Sequence, residues 1–159
     1  MRAAASLTNK TIRGMIEFFQ PAKNQATWIR IRITGLKPFQ THAIHVHEYG
    51  DFSNGCESAG GHFNPFGNKH GSFLLHGSDR HAGDLINNIT TNEEGNVDVQ
   101  FKDPLIRIYG CTSTSIVGRS VMLHLNPDDM GIKREFETGS STTGNAGPRI
   151  ACGIIYLKK

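Results

Sequence analysis

The segment THAIHVHEYGD, Thr41 to Asp51, holds His42, His45 and His47, three of the eight histidines in the chain. His45 and His47 stand at i and i+2. On a β-strand such residues share a face, about 6.5–7 Å apart along it, so two imidazoles can converge on one ion. Imidazole nitrogen suits copper, zinc, iron and nickel. His42 has an odd offset from His45 and faces the opposite side of a regular strand. Further on, HFNPFGNKHGSFLLHGSDRHAGD supplies His62, His70, His81 and Asp84. Three imidazoles and one carboxylate form the donor set of a closed tetrahedral zinc site. His124, at the end of SIVGRSVMLH, can join His45 and His47 from an adjacent strand.

The elements that must hold these side chains read as strands. In ATWIRIRIT, Ile29, Ile31 and Ile33 alternate with Arg30 and Arg32. In NVDVQF, Val97, Val99 and Phe101 alternate with Asp98 and Gln100. RGMIEFF and RIACGIIYL also read as strands, for about eight such segments in all. Turn signals separate them, among them GLKP at 35–38 and EEGN at 93–96. No stretch keeps a 3.6-residue period. The expected fold is all-β, an antiparallel sandwich or barrel of about eight strands. Two long segments interrupt the rhythm: 50–83, rich in Gly, Ser, Asn and His, and 126–148, rich in Gly, Ser, Thr and Asp. Loops of this length without regular structure of their own usually carry function or are disordered.

Composition narrows the field. The 159 residues suit one domain, 1–159, with 37% hydrophobic and 19% charged residues. The formal charge of +3 is dispersed, and basic runs stop at pairs such as Lys133-Arg134, so no nucleic-acid partner is expected. No apolar run approaches the roughly 20 residues of a membrane span. The N-terminal MRAAASLTNKTIR lacks an apolar signal core, so a cytoplasmic location is the default. The sequons at Asn9 and Asn88 then read as chance matches. The phosphate-loop, GxGxxG and GxSxG patterns are absent. The three cysteines, Cys56, Cys111 and Cys152, form no CxxC pair, and in a reducing compartment the default is free thiols.

Taken in order, HAIHVHEYGD, GCESAGGHFNP, KHG, HAGDL, IVGRSVMLH, DDMG and GNAGPRIACG resemble copper–zinc superoxide dismutase across residues 42–153. The resemblance implies an eight-stranded Greek-key barrel or sandwich with two functional loops. It implies copper held by His45, His47, His62 and His124, and zinc held by His62, His70, His81 and Asp84. His62 is then a shared ligand and proton carrier, and superoxide is converted to O2 and H2O2. Arg149 resembles the anion-guiding arginine and Thr143 the facing channel wall. Asp128 resembles the carboxylate that links His45 to His70, and His42 a hydrogen-bonded structural histidine. Cys56 and Cys152 match an intrachain disulfide, which leaves Cys111 as a free thiol. Partners implied are a second copy in a homodimer and a copper chaperone. The competing reading is a copper- and zinc-binding buffer without turnover.

The chain also departs from the family pattern. The stretch between His70 and His81 is longer than usual and carries Phe73, Leu74 and Leu75 in place of polar residues. His76 lacks a counterpart and is expected to be exposed. GIKREFETGSSTTG is also long. Glu135 and Glu137 match an acidic pair, a lysine near Thr142 is missing, and Lys133 and Arg134 are candidates to replace its charge. Ala5 stands where a free cysteine is common, and Tyr156 where a very small residue is common at the dimer patch of Tyr49, Gly50, Val117, Gly118 and Leu157.

Overall fold

The computed structural model describes residues 1–110 and 112–159; the expected free thiol of Cys111 lies outside the described residues. The strands are β1 Arg2–Thr8, β2 Arg13–Phe19, β3 Thr27–Thr34, β4 Thr41–His47, β5 Ser53–Cys56, β6 Asn88–Thr90, β7 Val97–Asp103, β8 Ser120–His124, β9 Arg149–Ile154 and β10 Tyr156–Leu157. Two short α-helices, α1 Phe73–His76 and α2 Thr138–Thr142, sit in the long loops, with 3-10 turns at Glu57–Ala59 and Ala82–Asp84. One antiparallel sheet runs β10-β1-β2-β3-β7 and the other β6-β4-β8-β9. Setting aside β5, which joins neither sheet, and the two-residue β10, eight strands remain among the described residues, as the patterning predicts. Neighbours β3 and β7, and β4 and β8, are not consecutive, so the chain crosses between sheets in Greek-key fashion.

The period-two pattern explains the first sheet. Ile29, Ile31 and Ile33 point into the core, while Arg30 and Arg32 point outward and pair with Asp98 and Glu17. Each fully buried Ile contributes roughly 1.5–3 kcal/mol. The second sheet behaves differently. In β4 every residue from His42 to His47 is buried, and β8 is buried throughout. An antiparallel strand with one solvated face should alternate. Here Ile44, Val46, Val121 and Leu123 join the core, and the long loops cover the face that carries His45 and His47.

RIACGIIYL, read as one strand, divides into β9 and β10. Ile155 is buried at the break, with its N–H on the Arg119 carbonyl and its own carbonyl taking the Gly118 N–H. The chain thereby passes from one sheet to the other. Nearby, the sheet edges meet at β1 and β9, and a side chain on Gly153 would strike the Ser6 carbonyl. The subloop between His70 and His81 folds into α1, capped by the Ser72 hydroxyl on the Leu75 N–H. It leaves Phe73, Leu74 and Leu75 exposed. His76, expected at the surface, is half-buried, because its Nδ1 accepts the Ser72 N–H at 3.0 Å. Ala5 is fully buried in the core. No described helix is long and apolar enough to cross a membrane.

Candidate metal centre

Two strands carry the first cluster. His45 and His47 project from the outer face of β4, and His124 ends β8, where a bulge after Leu123 sets it opposite Arg149 of β9. His62 is laid against β4 by the Phe63 N–H on the Val46 carbonyl at 2.8 Å and the Glu48 N–H on the Gly61 carbonyl at 3.0 Å. The four imidazoles form one buried group whose nearest nitrogens lie within 4.8 Å of one another.

The tautomers follow from what each ring touches. A carbonyl or carboxylate oxygen only accepts, so the nitrogen facing it carries the proton. His47 Nδ1 donates to the Gly60 carbonyl at 2.9 Å, and His124 Nδ1 donates to the Gly147 carbonyl at 3.0 Å. His45 Nε2 donates to Asp128 Oδ2 at 2.6 Å. Each ring keeps a bare nitrogen for the shared space. His47 Nε2 and His124 Nε2 face each other at 3.4 Å. His45 Nδ1 and His62 Nε2 are buried with no hydrogen-bond partner. Burial, helped by the neighbouring His62, holds His47 well below the usual imidazole range. Burial and His45 do the same to His62 and push His124 down to about 4. Neutral, inward-pointing lone pairs suit a metal and not a proton.

The second cluster is built from a loop. Asp84 Oδ1 lies 2.9 Å from His62 Nδ1, 2.9 Å from His70 Nδ1 and 3.2 Å from His81 Nδ1. His62 and His81 approach through Nδ1 atoms 3.4 Å apart. Ligand atoms about 2.0–2.1 Å from a tetrahedral zinc stand about 3.3 Å from each other, so these spacings fit that ion. Asp84 Oδ2 is committed elsewhere, taking the N–H groups of Gly71 at 3.0 Å and His81 at 2.9 Å. Burial would raise the Asp84 carboxyl, but bonds from His62, His70 and His81 hold it well below the usual range.

His62 belongs to both clusters, with Nδ1 toward one and Nε2 toward the other. Asp128 forms a second link. It accepts His45 Nε2 at 2.6 Å and His70 Nε2 at 2.8 Å. Burial opposes charge on both partners, yet the bonds from His45 and His70 keep Asp128 ionised. His70 is pushed up to about 9, its bonds to Asp128 and Asp84 outweighing burial. Gly144, at φ +63°, lets the backbone pass this link; a side chain there would collide with Asp128 and His70.

The other expected residues fall as follows. His42 stands outside both clusters, and its Nδ1 donates to the His124 carbonyl at 3.0 Å. Cys56 and Cys152 form a disulfide. Arg149 Nη1 donates to the Cys56 carbonyl at 2.7 Å and Nη2 to the Gly60 carbonyl at 2.6 Å. Gly60 therefore ties Arg149 to His47. The Thr143 side chain is exposed, and its hydroxyl donates to the Gly139 carbonyl at 3.2 Å. Lys133 pairs with Glu137 and Arg134 with Asp79, so neither offers an unpaired replacement for the missing lysine.

Three contributors escape a reading of the sequence. Asn87 is buried and donates to the Gly71 carbonyl at 2.9 Å and to Asp128 at 3.2 Å. Asn88 takes the Asp128 N–H at 2.7 Å and gives its own amide to the Asp128 carbonyl at 2.9 Å. The only local signal at Asn88 was the sequon. Buried Arg80 pairs with Asp103 at 2.6 Å and donates to the His81 carbonyl at 3.0 Å, which steadies the second cluster from behind.

Fold and site together define a histidine-rich two-metal protein on a Greek-key sandwich. The family model for copper/zinc superoxide dismutase matches residues 12–155, and the chain belongs to that family. The Cu-Zn superoxide dismutase of Saccharomyces cerevisiae is 44% identical over 146 residues, covering 92% of this chain and 90% of that one. Cu-Zn superoxide dismutase 5 of Dictyostelium discoideum is 42% identical over 159 residues, covering 100% and 99%. The crystal structure of the clock protein EA4 matches with a TM-score of 0.88 at 40% identity, covering 99% of this chain and 94% of that one. The family is one of oxidoreductases, and the two histidine groups suit its copper and zinc.

Proposed function

We propose that the chain dismutes superoxide, with His45, His47, His62 and His124 holding copper and His62, His70, His81 and Asp84 holding zinc. When bound, copper supplies the one-electron couple by which two superoxide ions and two protons become O2 and H2O2, and zinc supplies fixed positive charge. The observation that carries this reading is His62, whose two nitrogens address two different donor sets.

The residues have distinct tasks. His62 Nε2 takes and releases the proton, while Nδ1 stays anchored in the zinc cluster so that the ring keeps its place. The Gly60 and Gly147 carbonyls keep His47 and His124 in the tautomer that presents Nε2. Asp128 orients His45 and His70 together, which couples the two metal positions. Arg149, charged at every working pH, attracts and orients the small anion beside His47 and His124, with Thr143 as the outer wall. His42 braces β4 against the His124 backbone.

One buried cluster runs through both sheets from Ala3 to Ile155, which supports reading 1–159 as one domain. Exposed Tyr49, Tyr156 and Leu157 support a homodimer through that patch. A cytoplasmic site and loading by a copper chaperone complete the proposal by family analogy.

Superoxide decay by the copper- and zinc-loaded protein tests it. His124→Ala removes a ligand itself and should lose about 100-fold or more, beyond the 10- to 100-fold typical when only a partner of a ligand is lost. Arg149→Ala should lose about tenfold through weaker steering. Tight binding of both metals without superoxide decay in the unaltered protein would favour the buffer.

A further inference from the structure

Arg149 is held on one edge and open on another. Its Nη1 and Nη2 are committed to the carbonyls of Cys56, Glu57 and Gly60 at 2.7, 3.3 and 2.6 Å. Nε looks onto the Glu57 carboxylate, with Oε2 at 3.9 Å. The Glu57 side chain is 69% exposed and that of Arg149 17% exposed. A solvated carboxylate thus stands over a half-sheltered cation. The acids expected to shape the approach field are engaged elsewhere, Glu135 with Lys69 at 2.6 Å and Glu137 with Lys133 at 2.9 Å. Among the described residues, Glu57 is the carboxylate within ion-pair reach of Arg149.

We propose that Glu57 is an attenuating counter-ion: a built-in anion that competes with superoxide for the Arg149 guanidinium. The proposal rests on the anion-guiding role given to Arg149 above. Exposed ion pairs are weak, about 0–1 kcal/mol, so Glu57 does not lock the arginine. Its charge nevertheless lies well inside the screening length of about 8 Å at physiological ionic strength, and it lowers the local potential whether or not the pair is closed. The grip on Arg149 comes from backbone carbonyls, chiefly those of Cys56 and Gly60 with Glu57 adding a longer contact, and not from the Glu57 carboxylate. The charge at this position can therefore be changed without releasing the guanidinium. Glu57 acts through Arg149 and touches no reacting atom, so the measurements must follow charge, not shape.

The test is a charge series, Glu57→Asp, Glu57→Gln and Glu57→Lys, in copper- and zinc-loaded protein. At low ionic strength kcat/KM for superoxide should rise about two- to threefold in Glu57→Gln and further in Glu57→Lys, a modest share of the 10- to 1000-fold range of whole-protein steering. Glu57→Asp should match the parent. The curves should converge near 1 M salt, where screening shortens to about 3 Å. The second readout needs no turnover: in the reduced, metal-loaded protein, the Arg149 Nε–H resonance is titrated with inorganic phosphate. The dissociation constant should fall in the same order, Gln before Lys. If Gln and Lys variants match the parent in both low-salt rate and phosphate affinity, the proposal is overturned. If the parent shows no dismutation while phosphate affinity still follows the charge at position 57, the counter-ion stands and the superoxide-guiding role of Arg149 fails.

Discussion

The two clusters share His62 and are joined again through Asp128, but they are built differently. The cluster proposed for copper hangs on strands, with His45 and His47 on β4 and His124 on β8, and it contains no carboxylate. The cluster proposed for zinc hangs on the 50–83 loop and is organised by Asp84 just after it, with Asp128 behind it. Strand register presets the first, and counter-charge assembles the second. Changes in the second should therefore reach folding, while changes in the first should reach mainly chemistry.

The contrast can be broken at Asp84. Asp84→Ala removes the acceptor on which three imidazoles and two backbone N–H groups converge. Loss of one partner from a buried charged network costs about 3–5 kcal/mol, and zinc binding should go with it. His124→Ala should cost far less stability at comparable loss of activity. Urea unfolding of both variants decides; equal destabilisation would erase the distinction.

A smaller effect is expected at the staple. The Cys56–Cys152 disulfide joins residues 96 apart and ties the start of the 50–83 loop to β9. Paired Cys→Ser replacement should cost about 2–5 kcal/mol. Zinc affinity should fall more than copper affinity, because the zinc-side residues ride on the loop. Competition titration with chelators measures both.

The smallest effect is with pH in metal-free protein. His70, raised to about 9, stabilises the fold fully below its unfolded value of about 6.5, and this contribution is lost as pH rises through 9. Asp84 and Asp128 are depressed, so their contribution is present above about pH 4 and is lost as pH falls below it. The lowered His47, His62 and His124 act in the opposite sense to His70: the fold keeps them neutral, and stability is lost as pH falls below their unfolded value of about 6.5. Stability should therefore peak near about pH 6.5 and fall on both sides. Urea midpoints at about pH 4.5, 6.5 and 9 test it, and a flat profile from about 6.5 to 9 would remove the role of counter-charge at His70.

Much of this architecture is legible in the chain. Period-two alternation reports β2, β3 and β7, because one face of each meets the core and the other meets water. The HxH pair reports its own geometry, because i and i+2 share a face on any strand. The β9–β10 break was not legible: Ile155 is as apolar as its neighbours, and only the change of sheet interrupts the pairing. Asn87 and Asn88 look like turn residues locally, and their work on Asp128 depends on segments about forty residues away.

Residue type and order alone determined which donors exist, which lie on strands, and that a carboxylate accompanies the second set, since donor chemistry and side-chain alternation are local properties. Tertiary structure decided that His62 turns one nitrogen to each cluster, that Lys133 and Arg134 are spent on Glu137 and Asp79, and that Glu57, on the opposite loop, faces Arg149. Those outcomes rest on distances between segments far apart in the chain, and no local pattern encodes a distance that only packing sets.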